Sequence, residues 1–206
     1  MNGMEQPKIY LIAPPLFETR KFMNVLSAVL DSVEVACLRL SPPSIDETQV
    51  RRDCDIIREV ARTRDVPLLI DTHIQMAKRA GLDGVHLPHG SRLVRSARAA
   101  LGPDAIIGAF CHASRHDGMV AAEAGADYVS FGPVKSTSLG DGTHATRDLF
   151  AWWFETIEIP VVAEGSLDSA HLSSLAPVTD FFAIGPEIWG EDDPVTEIKG
   201  LAAAIS

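Results

Sequence analysis

The sequence is poor in cysteine: its 206 residues contain only Cys37, Cys54 and Cys111, and no Cys-x-x-Cys pair is present. Three cysteines cannot all pair with one another, which excludes a disulfide-based scaffold. Unpaired thiols in this number are typical of proteins kept in a reducing compartment. We therefore expect a cytoplasmic protein.

Long apolar runs are also missing. No stretch approaches the ~20 apolar residues that cross a bilayer, so we expect no membrane partner. Residues 1–7 contain no basic segment followed by an apolar one, which argues against a signal peptide. We interpret these residues as a short, flexible lead-in to the first structural element.

Positive charge is scarce as well. The 18 lysines and arginines are outnumbered by 28 aspartates and glutamates, which gives a net charge of −10. An acidic surface repels the phosphate backbone of nucleic acids, so we expect no nucleic-acid partner. The overall charge still leaves room for a local positive pocket that binds a small phosphate ligand.

The sequence does contain eight short apolar runs, most of which are followed by a polar or glycine-bearing turn and then a helical stretch. The runs occupy residues 9–12, 33–38, 67–70, 84–87, 105–108, 128–131, 159–163 and 181–184. Eight β-then-α units predict an α/β fold, a single (β/α)8 TIM barrel over residues 1–206. In this fold the chemistry lies where the strands end.

Capping patterns predict where several helices begin. Ser44-Ile45-Asp46-Glu47 resembles a capping box, with Ser44 opening a helix that runs to about Arg64. Ser91 is interpreted as the N-cap of a helix over residues 92–101, and another helix is expected over residues 72–80. Residues 134–146 form the longest irregular segment, a loop after the sixth strand.

Polar residues gather at the predicted strand ends, which barrel geometry places around one opening. They are Arg39, Asp71, His86, His89, His112, Lys135, Ser136, Thr137, Glu164, Ser166 and Glu187. Each alone is compatible with a polar rim that has no catalytic role. Together they predict a site at the barrel mouth.

Two glycine turns, Gly165-Ser166 and Gly185-Pro186, give the strongest local signal for a ligand. Backbone NH groups there and at the following helix N-termini can hold a phosphate, because glycine lets the backbone come close. Arg39 could pair with the same anion through its planar guanidinium. Tight turns and a rim salt bridge are the alternatives. The expected binding set also includes Asp71, Lys135, Thr137 and Glu164.

Histidines supply the candidate acid–base chemistry. His112 ends the fifth predicted strand and could exchange a proton, because imidazole titrates near neutral pH; a structural hydrogen bond is the alternative. His86 and His89 form a His-x-x-His pair, but a strand end and Pro88 separate them and no third ligand is assured. We expect no metal site.

The order of motifs resembles the thiamine-phosphate synthase and TenI-like superfamily of small (β/α)8 barrels, over nearly the whole chain. The matching pieces are Tyr10-Leu11-Ile12, Leu38-Arg39, Asp83-Gly84-Val85-His86-Leu87, Ile107-Gly108 to His112, Gly125-Ala126-Asp127-Tyr128-Val129-Ser130-Phe131-Gly132-Pro133-Val134 and Pro160-Val161-Val162-Ala163-Glu164-Gly165. The resemblance implies thiamine biosynthesis. It also implies a reaction that couples a pyrimidine diphosphate to a thiazole phosphate, with magnesium at the pyrophosphate.

Several positions depart from the synthase pattern that this resemblance implies. The lysine after Arg39 is absent, the strand-five serine is Phe110, and the loop Thr137-Ser138-Leu139-Gly140 lacks its lysine. Thr72 and Ser91 stand where the family has metal-binding aspartates, although Asp71 could partly substitute. These losses should cripple magnesium and pyrophosphate handling. Mg²⁺ is therefore expected only if the synthase reaction is retained, and no other cofactor is expected.

Leu87-Pro88-His89-Gly90-Ser91 resembles the TenI-like branch, whose activity is tautomerisation of a thiazole carboxylate phosphate with a histidine at the place of His112. The combined expectation is a barrel that binds a thiazole phosphate. Whether it acts as a synthase-like transferase, as a tautomerase using His112 and Arg39, or without catalysis stays open. Trp152-Trp153 is expected to provide core packing and a subunit contact, as in a homodimer.

Overall fold

The structure is a computed structural model that describes residues 6–15, 17–42, 46–137, 139 and 142–205. Most of the expected lead-in lies outside this part of the chain. So do Ser44 and Ile45 of the expected capping box and Ser138 and Gly140 of the long loop.

Within the described residues, eight parallel strands close into one barrel in sequence order, each paired with its neighbours and β1 with β8. The strands are β1 (Lys8–Ile12), β2 (Val35–Leu40), β3 (Leu68–Asp71), β4 (Gly84–Leu87), β5 (Ile106–Phe110), β6 (Tyr128–Phe131), β7 (Val161–Glu164) and β8 (Phe181–Ile184). The predicted (β/α)8 fold is confirmed. The second strand starts and ends two residues later than its apolar run, since Arg39 and Leu40 also pair with β3.

Helices follow the strands and surround the barrel. Those described are α1 (Thr19–Leu30), α2 (Glu47–Arg62), α3 (Ile74–Ala80), α4 (Val94–Leu101), α5 (Arg115–Glu123), α6 (Arg147–Thr156), α7 (Ser169–Leu175), α8 (Pro186–Trp189) and α9 (Pro194–Ile205). Short 3₁₀ turns precede α4 and follow α7.

Three predicted helix starts are wrong. Asp46, not Ser44, caps α2: its carboxylate accepts hydrogen bonds from the backbone NH groups of Thr48 and Gln49. Ser91 lies inside the 3₁₀ turn Gly90–Leu93, so it cannot be the N-cap of α4. Helix α3 likewise starts at Ile74 rather than Thr72, because Thr72 has a left-handed backbone with φ of 64°.

The strands separate two environments. Outward side chains such as Leu11, Leu38 and Val85 join the helices in a large apolar core. A second, smaller cluster fills the barrel interior and includes Tyr10, Leu69, Tyr128, Val162 and Ala183. Side chains alternate along a strand, so the residues two positions after these inward ones also point into the barrel. They lie closer to the carboxyl ends of the strands.

The tryptophan pair on α6 has two different surroundings. Trp153 is fully buried, packs edge-on against Phe131 with ring centroids 5.2 Å apart, and donates its indole NH to the carbonyl of Ile159 at 2.8 Å. Trp152 is half-buried, and the guanidinium of Arg115 lies 4.7 Å from its ring centroid. The core role of Trp153 is confirmed, and the subunit contact stays a prediction.

No helix in the described part of the chain is both long enough and apolar enough to cross a membrane.

Candidate functional site

A buried ion network closes the top of the barrel interior. Arg39 at the end of β2 is only 7% exposed, and its Nη1 donates to Oε2 of Glu164 across the barrel at 3.0 Å. Its Nε lies 3.3 Å from Oδ1 of Asp71, close enough for an ion pair although the two atoms are not aligned as a hydrogen bond. Ser130 donates to the other carboxylate oxygen of Glu164 at 3.2 Å.

Burial and the neighbouring charges shift the pKa values of the groups in this network. Burial raises the pKa of Glu164 and of Asp71, and the neighbouring guanidinium opposes that rise. For Arg39, burial acts to lower the pKa, but attraction to Asp71 and Glu164 outweighs it and raises the pKa well above the usual value. One guanidinium is therefore shared by two carboxylates.

A second polar layer lies beneath the first. Nδ1 of His86 is 2.9 Å from the hydroxyl of Tyr128, which in turn lies 2.7 Å from the hydroxyl of Tyr10. Burial and the nearby Arg39 lower the pKa of His86 well below its usual value, so this imidazole is neutral at neutral pH. Burial raises the pKa of both tyrosines. His86 therefore belongs to the packed interior, whereas His89 is exposed.

The network forms the floor of a cavity of about 880 Å³ at the carboxyl ends of the strands. Ligand sites commonly have volumes of roughly 300 to 1,000 Å³. The cavity is lined by Ile12, Ala13, Pro14, Pro15, Arg39, Ser41, Ser136, Thr137, Leu139, Glu164, Gly165, Ser166, Ala183, Pro186, Glu187, Trp189 and Gly190. It is therefore built from the loops after β1, β2, β6, β7 and β8, on one side of the barrel mouth.

The structure brings six residues of the predicted binding set into this lining: Arg39, Thr137, Glu164, Gly165, Ser166 and Pro186. Asp71 contributes through its ion pair with Arg39. Gly185 is not part of the lining, although its chain neighbour Pro186 is. Lys135 is exposed, and its ammonium lies 3.8 Å from the carboxylate of Asp168.

At both predicted glycine turns, steric contacts by themselves explain why the residue is glycine. Gly165 has a φ of 93°, and a Cβ there would lie 2.7 Å from Cβ of Pro133. A Cβ on Gly185 would lie 2.7 Å from both Cβ and the carbonyl oxygen of Ile12. Glycine at both positions is therefore required for close packing of neighbouring loops, whether or not an anion binds there.

His112 lies apart from the residues that line this cavity. Its backbone is left-handed with φ of 54°, its ring packs against Phe110 with centroids 4.6 Å apart, and its buried Nδ1 has no hydrogen-bond partner. Thr72 and Ser166 are also left-handed just after strand ends. Such conformations cost about 1 to 3 kcal/mol each and often occur at functional sites.

Ser130 and Trp189 were not predicted as site residues, and Glu187 was predicted at the barrel mouth without its contacts. Ser130 supports Glu164, Trp189 forms a wall and donates its indole NH to the carbonyl of Ile12 at 2.6 Å, and Glu187 bridges two loops. The inward direction of Ser130 could have been found from period-two alternation, because Tyr128 points the same way. The contacts of Trp189 and Glu187 depend on loop geometry, which alternation does not reveal.

In the described ranges, no group of three or more histidine, cysteine, aspartate or glutamate side chains is arranged to hold a metal ion.

These features define the class of protein: a (β/α)8 barrel with a ligand-sized cavity and a buried ion network at the catalytic end of its strands. A family model described as thiamine monophosphate synthase matches residues 9–184. The chain belongs to this family, which acts in thiamine biosynthesis.

Curated relatives extend the similarity to almost the whole chain. The thiamine-phosphate synthase of Rhodospirillum centenum is 36% identical over 205 residues, which cover 98% of this chain and 96% of the relative. The thiamine-phosphate synthase of Erythrobacter litoralis is 34% identical over 192 residues, 90% of either chain.

Solved structures agree on the fold. Thiamine phosphate pyrophosphorylase from Pyrococcus furiosus superposes with a TM-score of 0.84 at 21% identity, covering 96% of this chain and 95% of its own. Orotidine 5'-phosphate decarboxylase from Pyrococcus horikoshii superposes with a TM-score of 0.71 at 15% identity, covering 96% of this chain and 99% of its own. At these identities the likeness supports the barrel alone.

Proposed function

We propose that this protein binds a thiazole of the thiamine pathway at its barrel mouth and has lost most of the magnesium-dependent coupling reaction. The observation that carries the proposal is the floor of the cavity, where Arg39 is shared by Asp71 and Glu164. Asp71, which could have substituted for a missing metal carboxylate, and Glu164 are instead engaged by an arginine of the same chain.

The donor set does not fit a magnesium ion. Mg²⁺ prefers oxygen ligands in near-octahedral geometry and is usually anchored by one or two carboxylates. Thr72 and Ser91, at the places that the family resemblance assigns to metal ligands, offer neutral hydroxyls. Asp71 and Glu164 are engaged by a cation, and a second cation beside Arg39 would be repelled. We therefore assign no step of the chemistry to magnesium.

The remaining lining suits a small heteroaromatic ring. Ile12, Leu139, Pro186 and Trp189 supply apolar contacts, and Ser136 and Thr137 supply hydroxyl groups at the rim. Arg39 faces the cavity from its floor and could orient a polar substituent of the ring. The sequence-based expectation places a phosphate group of the ligand at Gly165-Ser166 and Gly185-Pro186.

A coupling assay tests the proposal. Purified protein is mixed with pyrimidine diphosphate, thiazole phosphate and Mg²⁺, and thiamine phosphate is quantified over time. Because losing one transition-state contact typically costs about 100- to 1,000-fold, we expect turnover far below ~10 per second, a typical enzyme value. The thiamine-phosphate synthase of Rhodospirillum centenum serves as the positive control. Turnover equal to that control would contradict the proposal.

A second function, thiazole tautomerisation, is favoured by one observation: the left-handed His112 carries a buried Nδ1 without a partner. In the same assay series, thiazole carboxylate phosphate is supplied alone. If His112 exchanges the proton, His112→Asn should lower turnover by roughly 100- to 10,000-fold, whereas exposed His116→Asn should leave it unchanged. Absence of turnover in the wild type would leave binding without catalysis as the function.

A further inference from the structure

The side chain of Glu187 accepts hydrogen bonds from backbone NH groups of two loops at the barrel mouth. Glu187 follows Pro186 in the first turn of α8, and its carboxylate bridges the loops after β7 and β8. Oε2 accepts the backbone NH of Gly185 at 2.8 Å, and Oε1 accepts the backbone NH of Leu167 at 3.1 Å. These amides belong to the two loops at which the sequence predicted an anion-binding site.

Those two NH groups are therefore not available to a ligand. A phosphate placed there would have to displace Glu187, and the displaced carboxylate would lose two charge-assisted hydrogen bonds. A backbone NH can satisfy one strong acceptor at a time, so the internal carboxylate and an external phosphate exclude each other.

The charge balance of the cavity points the same way. Its described lining carries two carboxylates, Glu164 and Glu187, and one guanidinium, Arg39. The positive charge of Arg39 is already shared by Glu164 and Asp71. Lys135, the cation on the neighbouring loop, lies 3.8 Å from Asp168 and is exposed. A phosphate dianion would enter a cavity with an excess of negative charge, which like-charge repulsion disfavours.

A hydroxyl group, unlike a phosphate, is compatible with the carboxylate of Glu187. An alcohol is neutral, so it meets no charge repulsion, and it can donate its proton to a carboxylate oxygen that still has a free lone pair. Each oxygen of Glu187 accepts one backbone NH among the described contacts and has capacity for a second donor. Ser166 on the facing loop also lines the cavity and can donate or accept.

From these contacts we propose that Glu187 is a specificity-determining residue that makes the cavity select a thiazole with a free hydroxyl tail over its phosphate monoester. The assignment rests on the proposed function, in that the ligand is a thiazole held at this mouth. It changes the expected substrate class from a phosphorylated thiazole to the unphosphorylated alcohol.

Calorimetric titration with two pure probes, thiazole phosphate and thiazole alcohol, tests the assignment. In the wild type we expect the alcohol to bind at least ~10-fold more tightly than the phosphate, a difference equivalent to about 1.4 kcal/mol. Glu187→Gln keeps the shape of the side chain and removes its charge, and Glu187→Ala also frees both amides. Both variants should bind the phosphate about 10- to 100-fold more tightly than the wild type. The alcohol should bind Glu187→Gln about as well as the wild type, because the amide oxygen can still accept its hydroxyl proton, and should bind Glu187→Ala more weakly, because that acceptor is gone.

Glu191→Gln is the matched control, because Glu191 is exposed just beyond α8 and does not line the cavity. It should keep the preference of the wild type. Tighter binding of the phosphate than of the alcohol by the wild type would overturn the assignment and leave the proposed function standing. So would variants that gain no affinity for the phosphate. If neither probe binds the wild type or any variant, the proposed function fails and the assignment fails with it.

Discussion

At the scale of single residues, the most consequential feature is one arginine buried between two acids. Burying charged groups is costly, and the mutual attraction of Arg39, Asp71 and Glu164 offsets that cost only while all partners are present. Removing one partner leaves an uncompensated charge in the interior. By contrast, the exposed pair of Arg62 and Glu59 is solvated on both sides and such pairs contribute little.

Replacing Arg39 with methionine should therefore destabilise the protein by about 3 to 5 kcal/mol, the usual cost of breaking a buried ion pair. Urea unfolding followed by circular dichroism measures the change in the free energy of unfolding. Arg62→Met is the control and should cost no more than about 1 kcal/mol. Equal values for the two variants would mean that the buried network does not contribute to stability.

At the scale of structural elements, the loops after the strands set the shape of the cavity. The loop after β7 packs directly on the loop after β6: the NH of Val134 bonds to the carbonyls of Glu164 and Gly165, and Pro133 lies over Gly165. Strand alternation brings Arg39 and Glu164 inward, and this loop packing decides what surrounds them.

Gly165→Ala should consequently destabilise the protein more than Gly102→Ala, a substitution at another glycine with positive φ. Both Gly165 and Gly102 have positive φ, but a Cβ on Gly102 would meet nothing within 4 Å. A left-handed alanine costs about 1 to 2 kcal/mol, and overpacking against Pro133 should add about 1 to 3 kcal/mol. Thermal unfolding of Gly165→Ala and Gly102→Ala compares them. If Gly102→Ala were equally destabilised, the contact with Pro133 would not be limiting.

At the scale of the whole molecule, proton binding to buried groups couples the interior to folding. The pKa of His86 is lowered in the folded protein, chiefly by burial and then by Arg39. Below the ordinary histidine pKa of ~6.5, the unfolded chain therefore binds a proton that the folded chain excludes. Stability from this group is present above that pH and is lost as the pH falls. The raised pKa values of Asp71 and Glu164 act in the opposite direction.

The free energy of unfolding should fall between pH ~7.5 and ~5.5, with His86 contributing about 1.4 kcal/mol of that fall. His86→Gln retains a hydrogen-bonding side chain and cannot titrate, so its fall should be smaller by that amount. The exposed His116→Gln should behave as the wild type does. Urea titrations at the two pH values give the fall in the free energy of unfolding for the wild type and both variants. An identical fall for His86→Gln and the wild type would refute the role of His86.

Much of this molecule follows from local sequence. The eight apolar runs predicted the closed barrel, and the strand ends predicted Arg39, Glu164, Gly165 and Ser166 as cavity residues. Strand periodicity and the parallel order of β/α units are local properties, so they can be read from neighbouring residues. The order of motifs along the chain also predicted the family, which the family model over residues 9–184 confirms.

Tertiary structure decided what those residues do. The ion network of Arg39 joins positions from three strands, and the bridge from Glu187 to Leu167 and Gly185 joins two loops. The starts of α2 and α4 were also set by the backbone turns that precede them. Hydroxyl and acidic residues at more than one position could have fitted those turns. Distances between residues far apart in the chain are set by barrel closure and loop packing. For that reason the sequence alone determined the fold and the location of the mouth, and only the assembled barrel decided its charge.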